Sequence, residues 1–402
     1  MALGLVQDNS GVKGLGMLDF LFGALSSMSL FDVLRMLVMW ALGATLIYLA
    51  IRRDMEPALL LPIGFGAILV NLPLSGAITQ NYAGFLEEGP LSVLFDAGIA
   101  NELFPLLLFV GIGAMIDFGP LLTNPKLLLF GAAAQFGIFV TLLLAATIGH
   151  FFPGTFTLQD AASVAVIGAA DGPTSIFVAN FYGTQYLGAI VVAAYSYMAL
   201  VPIIQPPVIR ALTTRDERRI RMPYTSSEVS QFTRILFPIM VTIIAGLIAP
   251  RSVALVGFLM FGNLLRECGV LGSLSDTAQN ALANLITILL GITIAVRMQA
   301  NEFLTLQTLL IMGLGLVAFV FDTVGGVLFA KFINLFAKTK INPMIGACGI
   351  SAFPMSSRVV HKMGLAEDNQ NFLLMHASGV NVGGQIASVI AGGILLSLIP
   401  RL

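Results

Sequence analysis

The stretch Val166 to Asn180, VIGAADGPTSIFVAN, is as apolar as a membrane helix but carries Asp171-Gly172-Pro173-Thr174 at its centre. Pro173 removes a backbone donor and disfavours helix at the residue before it, and Gly172 lowers helix propensity further. The pattern predicts a helix that breaks here and leaves carbonyls free beside a carboxylate. A carboxylate at mid-membrane costs about 2.5–3.5 kcal/mol on insertion scales and is rarely idle. Hard cations take oxygen ligands, so the combination reads as a site for Na⁺ or H⁺ centred on Asp171. The plainer alternative is a carboxylate capping the start of a half-helix.

A second set of polar residues has similar character. Asn342-Pro343-Met344-Ile345-Gly346 and Ser351-Ala352-Phe353-Pro354 combine neutral oxygens with two prolines. The run Gly111 to Asp117 resembles Gly291 to Arg297, 180 positions later, and the same shift carries Asp171 onto Ser351. The prolines, Pro173 and Pro354, miss this register by one. Interrupted segments in corresponding places of two halves point to a midplane site. Asn381 in GVNVGG, among Gly379, Gly383 and Gly384, suggests a further interruption or a close helix crossing, and its amide could ligate a cation or cap a helix. Arg358 follows the second set and either snorkels or holds a carboxylated ligand. Tyr195 and Tyr197, on the helix after Asp171, are packing residues or phenols placed to ligate or carry a proton.

The elements that must position these residues are membrane helices. Of 402 residues, 57% are hydrophobic and 10% charged, against roughly 25% charged in an average soluble protein. The apolar runs are continuous rather than alternating, which argues for α-helical spans over a barrel. The net charge is −1 and no basic, aromatic-interleaved patch occurs, so nothing suggests nucleic acid. Cys268 and Cys348 lie too far apart in sequence for a C-x-x-C, and the three histidines lack metal-ligand spacing. There is no P-loop, H-E-x-x-H or G-x-S-x-G.

Four regions are expected. Residues 1–55 hold an interfacial amphipathic segment and the first span, closed by Arg52 and Arg53. Residues 56–212 form a first membrane repeat, with an interrupted stretch at 56–73, a more polar interfacial one at 81–96 and the break at 171–174. Residues 213–233 form a basic loop, placed in the cytoplasm by Arg215, Arg218, Arg219 and Arg221. Residues 234–402 form a second repeat, broken at 342–358. The fold class is an all-α polytopic membrane protein built from two repeats of inverted topology.

Several long stretches also resemble the β subunits of the sodium-translocating, biotin-dependent decarboxylases of the oxaloacetate, methylmalonyl-CoA, glutaconyl-CoA and malonate types. They are EPALLLPIGFGAILVNLP, NELFPLLLFVGIGAMIDFGPLL, VIGAADGPTSIFVA, AAYSYMALVPIIQPP, NPMIGACGISAFPMSSRVV and NFLLMHASGVNVGGQIASVIAGG, and they span most of the chain beyond residue 30. The resemblance implies a subunit that decarboxylates carboxybiotin presented by a biotin carrier and couples this to outward Na⁺ movement with uptake of a proton. It implies an elevator-like motion between the repeats and a bacterial inner-membrane location. The implied partners are a carboxyltransferase α subunit, the biotin carrier and a small membrane-anchor (γ or δ) subunit, and a homo-oligomer is expected. By the same resemblance Asp171 is the central Na⁺ ligand, with Asn342 and Asn381 contributing oxygens. Ser351 and Tyr197 form a second cation or proton position, Arg358 holds the carboxybiotin carboxylate and Gly346 permits close approach. Ser356 and Ser357 depart from the small residues that family members carry after Pro-Met. A secondary Na⁺-coupled carboxylate transporter without chemistry is the competing reading, with Arg358 binding a diffusible substrate.

Overall fold

The computed structural model describes residues 28–53, 56–82, 85–223, 229–352 and 354–400. The amphipathic segment expected near the N-terminus lies outside them. Among the described residues, six helices are long and apolar enough to cross a membrane, or eight if each of two bent pairs counts as one span. The chain is a multi-pass membrane protein.

The first half opens with α1 (Leu30–Arg53) and α2 (Pro57–Val70). The stretch 56–73 was expected to be interrupted, yet α2 runs unbroken through Pro62, because a membrane helix packed among others can tolerate proline. The polar stretch that follows makes a two-stranded hairpin, β1 (Gln80–Tyr82) with β2 (Phe85–Glu87). Pro90–Ala100, which ends in a π turn over Asp96–Ala100, then bends by 61° into α3 (Leu103–Met115). Pro125–Phe151, one of the six, is interrupted at Gln135 between α4 (Leu128–Ala134) and α5 (Phe136–Phe151). Beyond it α6 (Leu158–Ala165) starts on a reciprocal capping box between Thr157 and Asp160. The first break follows, as a 3₁₀ turn over Val166–Ala169 and then α7 (Gly172–Tyr182). Gly183, at φ 64°, ends α7, and Thr184 N returns to Ala179 O at 3.2 Å. Thr184 Oγ1 also donates to Asp160 Oδ1 at 2.6 Å, which ties the end of α7 to the start of α6. The half closes with α8 (Leu187–Leu212), bent by 66° near its middle.

The second half comprises α9 (Gln231–Ile248), α10 (Val253–Glu267), a π turn over Thr277–Leu282, α11 (Ala283–Ile294) and α12 (Leu306–Phe336). A 3₁₀ turn over Pro343–Gly349 leads to α13 (Met355–Glu367) and α14 (Leu374–Leu398). Both halves thus carry a π turn before a span and, later, a 3₁₀ turn, a short helix and a closing helix, but the first half inserts α6 before its 3₁₀ turn and the second does not. Asn381 does not interrupt α14. Its glycines instead mark a close crossing, where a Cβ on Gly384 would lie 2.4 Å from Gly349 O. Only small residues permit backbones to approach this closely.

Candidate functional site

The first break brings Asp171 into the protein interior, 4% exposed. Ala170 before it adopts a left-handed φ of 52°, and Asp171 itself is extended at φ −138°. Asp171 occupies the position that caps α7, yet its side chain makes no cap bond to a first-turn amide. Oδ2 instead accepts from Thr174 Oγ1 at 2.5 Å. Ser175 Oγ donates to Asp171 O at 2.9 Å and reaches Val166 O at 3.3 Å, which satisfies carbonyls freed by the break. The Thr174 amide also faces the carboxylate, and with Thr174 as its near donor the carboxylate keeps acceptor capacity for further partners.

The second break meets the first through the backbone: Ser351 N donates to Ala169 O at 3.2 Å. Ser351 Oγ donates to Ser388 Oγ and lies 3.1 Å from Gly384 O. The Ser388 hydroxyl also faces the Asp171 carboxylate and so joins the two breaks. On the same face of α14, Asn381 Nδ2 donates to Ile350 O at 2.6 Å and Cys348 O at 3.2 Å. Gln385 Nε2 donates to Ser351 O. The amide groups of both side chains are thus fixed by the second break. Their oxygens, Asn381 Oδ1 and Gln385 Oε1, are buried without a donor among the described residues. Buried acceptors without donors are uncommon, and a bound cation would satisfy them.

Of the residues singled out in the sequence, Asp171, Ser351 and Asn381 share this region. The structure keeps four others apart from it. Asn342 Oδ1 accepts from Met344 N at 3.1 Å, and its Nδ2 donates to Arg218 O and Ile220 O, both at 2.9 Å. It pins the basic loop rather than facing Asp171. Tyr197 donates its hydroxyl to Met312 O and lays its ring on Gly315 of α12. Gly346 packs back to back with Gly326 of α12, where a Cβ would lie 2.1 Å from Gly326 O. Arg358 is exposed, and no ion pair involving it is found among the described residues. Ser356 and Ser357 are both satisfied, Ser356 by Gln205 Oε1 at 2.8 Å and Ser357 by Pro354 O at 2.8 Å.

The site also takes in Tyr195, singled out in the sequence beside Tyr197, and two residues that the sequence reading left unused, Gln385 and Ser388. Tyr195 rather than Tyr197 lies against Asp171: a Cβ on Gly172 would fall 1.9 Å from Tyr195 Cζ, and the hydroxyl is buried without a partner among the described residues. Gln385 and Ser388 follow Asn381 at four and seven positions, a spacing that places all three on one helix face. That periodicity was available in the sequence. Asp322, a lone acid inside the apolar α12 and outside this site, was equally visible in the sequence and is 1% exposed.

The basic loop is a fixed part of this architecture. Arg218 and Arg215 pair with Glu367 at 2.7 and 3.4 Å, and Arg221 pairs with Asp368 at 2.6 Å, all at the end of α13. Lys331 of α12 holds Glu217 at 3.1 Å. Hydrogen bonds from Arg218 and Arg221 hold the carboxyls of Glu367 and Asp368 below their ordinary values. Depressed carboxylates stabilise the attachment above their unfolded titration points, and that stabilisation is lost as pH falls through the lowered ones. Attachment should therefore persist at neutral pH and weaken only under strong acid. Glu367→Ala removes two of these pairs at once and should speed tryptic cleavage after Arg215 and Arg218 several-fold at neutral pH. Unchanged cleavage would mean that the pairs do not hold the loop.

The family model for the Na⁺-transporting oxaloacetate decarboxylase beta subunit matches residues 35–399. The chain is 49% identical to the methylmalonyl-CoA decarboxylase subunit beta of Propionigenium modestum, with 90% of this chain and 94% of the relative aligned. It is 45% identical to the oxaloacetate decarboxylase beta chain of Klebsiella pneumoniae, over 90% and 94% of the two chains. Against the glutaconyl-CoA decarboxylase subunit beta of Acidaminococcus fermentans the identity is 48%, over 90% and 92%. These relatives are decarboxylase subunits, and none supports the reading as a transporter without chemistry. With two broken segments meeting at a buried acid and a match along nearly its whole length, the chain belongs to the Na⁺-transporting decarboxylase beta-subunit family.

Proposed function

We propose that this subunit decarboxylates carboxybiotin presented by a biotin carrier and couples the reaction to outward Na⁺ movement across the bacterial inner membrane. The carrying observation is the meeting of the two breaks, Ser351 N on Ala169 O, close to the buried Asp171 carboxylate, with the unpartnered Asn381 and Gln385 oxygens on the helix whose Ser388 hydroxyl bonds Ser351. Decarboxylation cleaves the bond between the carboxyl carbon and the ureido nitrogen. CO₂ departs and the nitrogen takes one proton, so each turnover consumes a proton. Na⁺ at Asp171, with Thr174, Ser351 and Ser388 hydroxyls and the Asn381 and Gln385 oxygens near it, neutralises the carboxylate. Ion occupancy there gates movement between access states by differential affinity. In this reading two repeats of inverted topology move against each other in elevator fashion.

The acyl substrate belongs to a partner carboxyltransferase, and a small anchor subunit completes the complex. Arg358, exposed and without an ion pair among the described residues, is the group to hold the carboxybiotin carboxylate bidentately. In proteoliposomes holding the purified complex, ²²Na⁺ accumulation should require the carboxylated substrate and stop when avidin sequesters biotin. Accumulation by this chain alone, without biotin, would overturn the assignment. Ser388→Ala deletes the hydroxyl that bridges Asp171 and Ser351. Loss of about 1.4 kcal/mol of ligation raises the Na⁺ concentration for half-maximal turnover about tenfold. An unchanged Na⁺ dependence would remove Ser388 from the site.

A further inference from the structure

A second buried acid stands apart from the cation site. Asp322 sits within α12, 1% exposed, and neither carboxylate oxygen has a hydrogen-bond partner of acceptable geometry among the described residues. It faces the crossing of α12 with the Gln135 break and with the 3₁₀ turn that leads to Asp171. A Cβ on Gly137 would lie 2.4 Å from Oδ1, and one on Gly168 would lie 2.9 Å from Oδ2. Both glycines therefore leave space that the carboxyl fills.

Among the described residues no counter-charge reaches it. The titratable groups on elements packed against α12 are Tyr195, Tyr197 and Arg210 of α8, His150 of α5, Asp160 of α6 and Cys348 of the second 3₁₀ turn. Tyr197 bonds Met312 O, ten residues back along α12 and so about 15 Å away. Asp160 is taken up by Thr157 and Thr184, and Arg210 and His150 are exposed. On α12 itself Lys331 pairs with Glu217. None of these forms an ion pair with Asp322. A buried, unpaired carboxylate is costly enough that it either gains a proton or gains a cation.

The surroundings choose between the two. Na⁺ needs several oxygens, as Asp171 has. Around Asp322 stand Ala318 Cβ and the backbone amides of Gly137 and Ile138, and an N–H repels a cation. A carboxylic acid suits the same atoms: one oxygen can accept from an amide, and the O–H has Ala318 O in the same crossing, 2.1 Å from the Gly137 Cβ position. We propose that Asp322 is the proton-carrying carboxyl of this subunit, a second ion site behind the Val166–Ala169 turn, so that Asp171 takes Na⁺ and Asp322 takes H⁺. The division rests on the cation reading of Asp171. The shared turn, with Gly168 on Asp322 and Ala169 bonded to Ser351, lets occupancy at one site bias the other.

A purely structural role, in which Asp322 caps the start of α5 from across the helix crossing, would tolerate Asn, since Asn caps as well as Asp. The test uses the purified complex with Asp322→Asn and Asp171→Asn variants. Infrared spectra of the wild type should contain a protonated-carboxyl band at neutral pH that Na⁺ leaves unchanged. The band should vanish in Asp322→Asn and persist in Asp171→Asn. Asp322→Asn should bind ²²Na⁺ as the wild type does and lose about 100-fold in turnover, the scale of one lost proton-transfer group. A band that survives in Asp322→Asn, or normal turnover with an unchanged pH profile, overturns the proposal. If Asp322→Asn fails to assemble, carbodiimide labelling of the wild-type complex decides: Asp322 modified despite saturating Na⁺ supports the assignment, and an unmodified Asp322 refutes it. Normal Na⁺ binding in Asp171→Asn would instead sink the cation site and leave the infrared result on Asp322 standing.

Discussion

Asp171→Asn should abolish both carboxybiotin decarboxylation and ²²Na⁺ uptake in the reconstituted complex. The substitution keeps size and hydrogen bonding, so Thr174 retains an acceptor, and α7 retains a residue of equal capping quality. What disappears is the charge. A neutral amide among Thr174, Ser351 and Ser388 leaves Na⁺ with neutral oxygens only, in a site 4% exposed to solvent. Losing one charge at contact distance in such an interior is worth several kcal/mol, and so at least about 100-fold in Na⁺ affinity. If Asp171→Asn pumps normally, the carboxylate is a structural cap and the site lies elsewhere.

Gly346→Val should destabilise the subunit rather than weaken biotin-carrier binding. Gly346 and Gly326 press their backbones together, with a Cβ on either falling 2.0–2.1 Å from the other's carbonyl oxygen. Atoms of two main chains cannot swing aside, so α12 and the Pro343–Gly349 turn must separate. Overpacking of this kind costs roughly 1–3 kcal/mol, occasionally more, and here the upper end is expected. The readout is a lower apparent Tm of the detergent-solubilised complex, together with faster loss of the α subunit on gel filtration. A variant of normal stability with a raised half-saturation for the biotin carrier would instead place Gly346 on the carboxybiotin face.

Much of the site was legible because local chemistry announces it. Gly-Pro after an acid breaks a helix wherever that helix packs, so the position of Asp171 followed from four residues. The 180-residue offset led to Ser351, which the structure bonds to Ala169. The break at Gln135 was not legible, since Gln has ordinary helix propensity. Its amide bonds Gly131 O and Gly349 O, the second from a turn more than 200 residues away. Pro62 shows the reverse: a strong local breaker left inside an unbroken helix by its neighbours.

Class, membrane residence, the broken segments and the central acid were determined by the sequence alone, because composition and backbone propensity act within a few residues. The partners of each side chain were decided only by tertiary structure. Periodicity states which residues share a helix face and says nothing of what that face meets. Thus Asn342 holds the Arg218 loop, Tyr195 rather than Tyr197 lies beside Asp171, and Ser388 links the two breaks. Each of these turns on a helix rotation and a crossing point, which are set by close packing of segments distant in the chain.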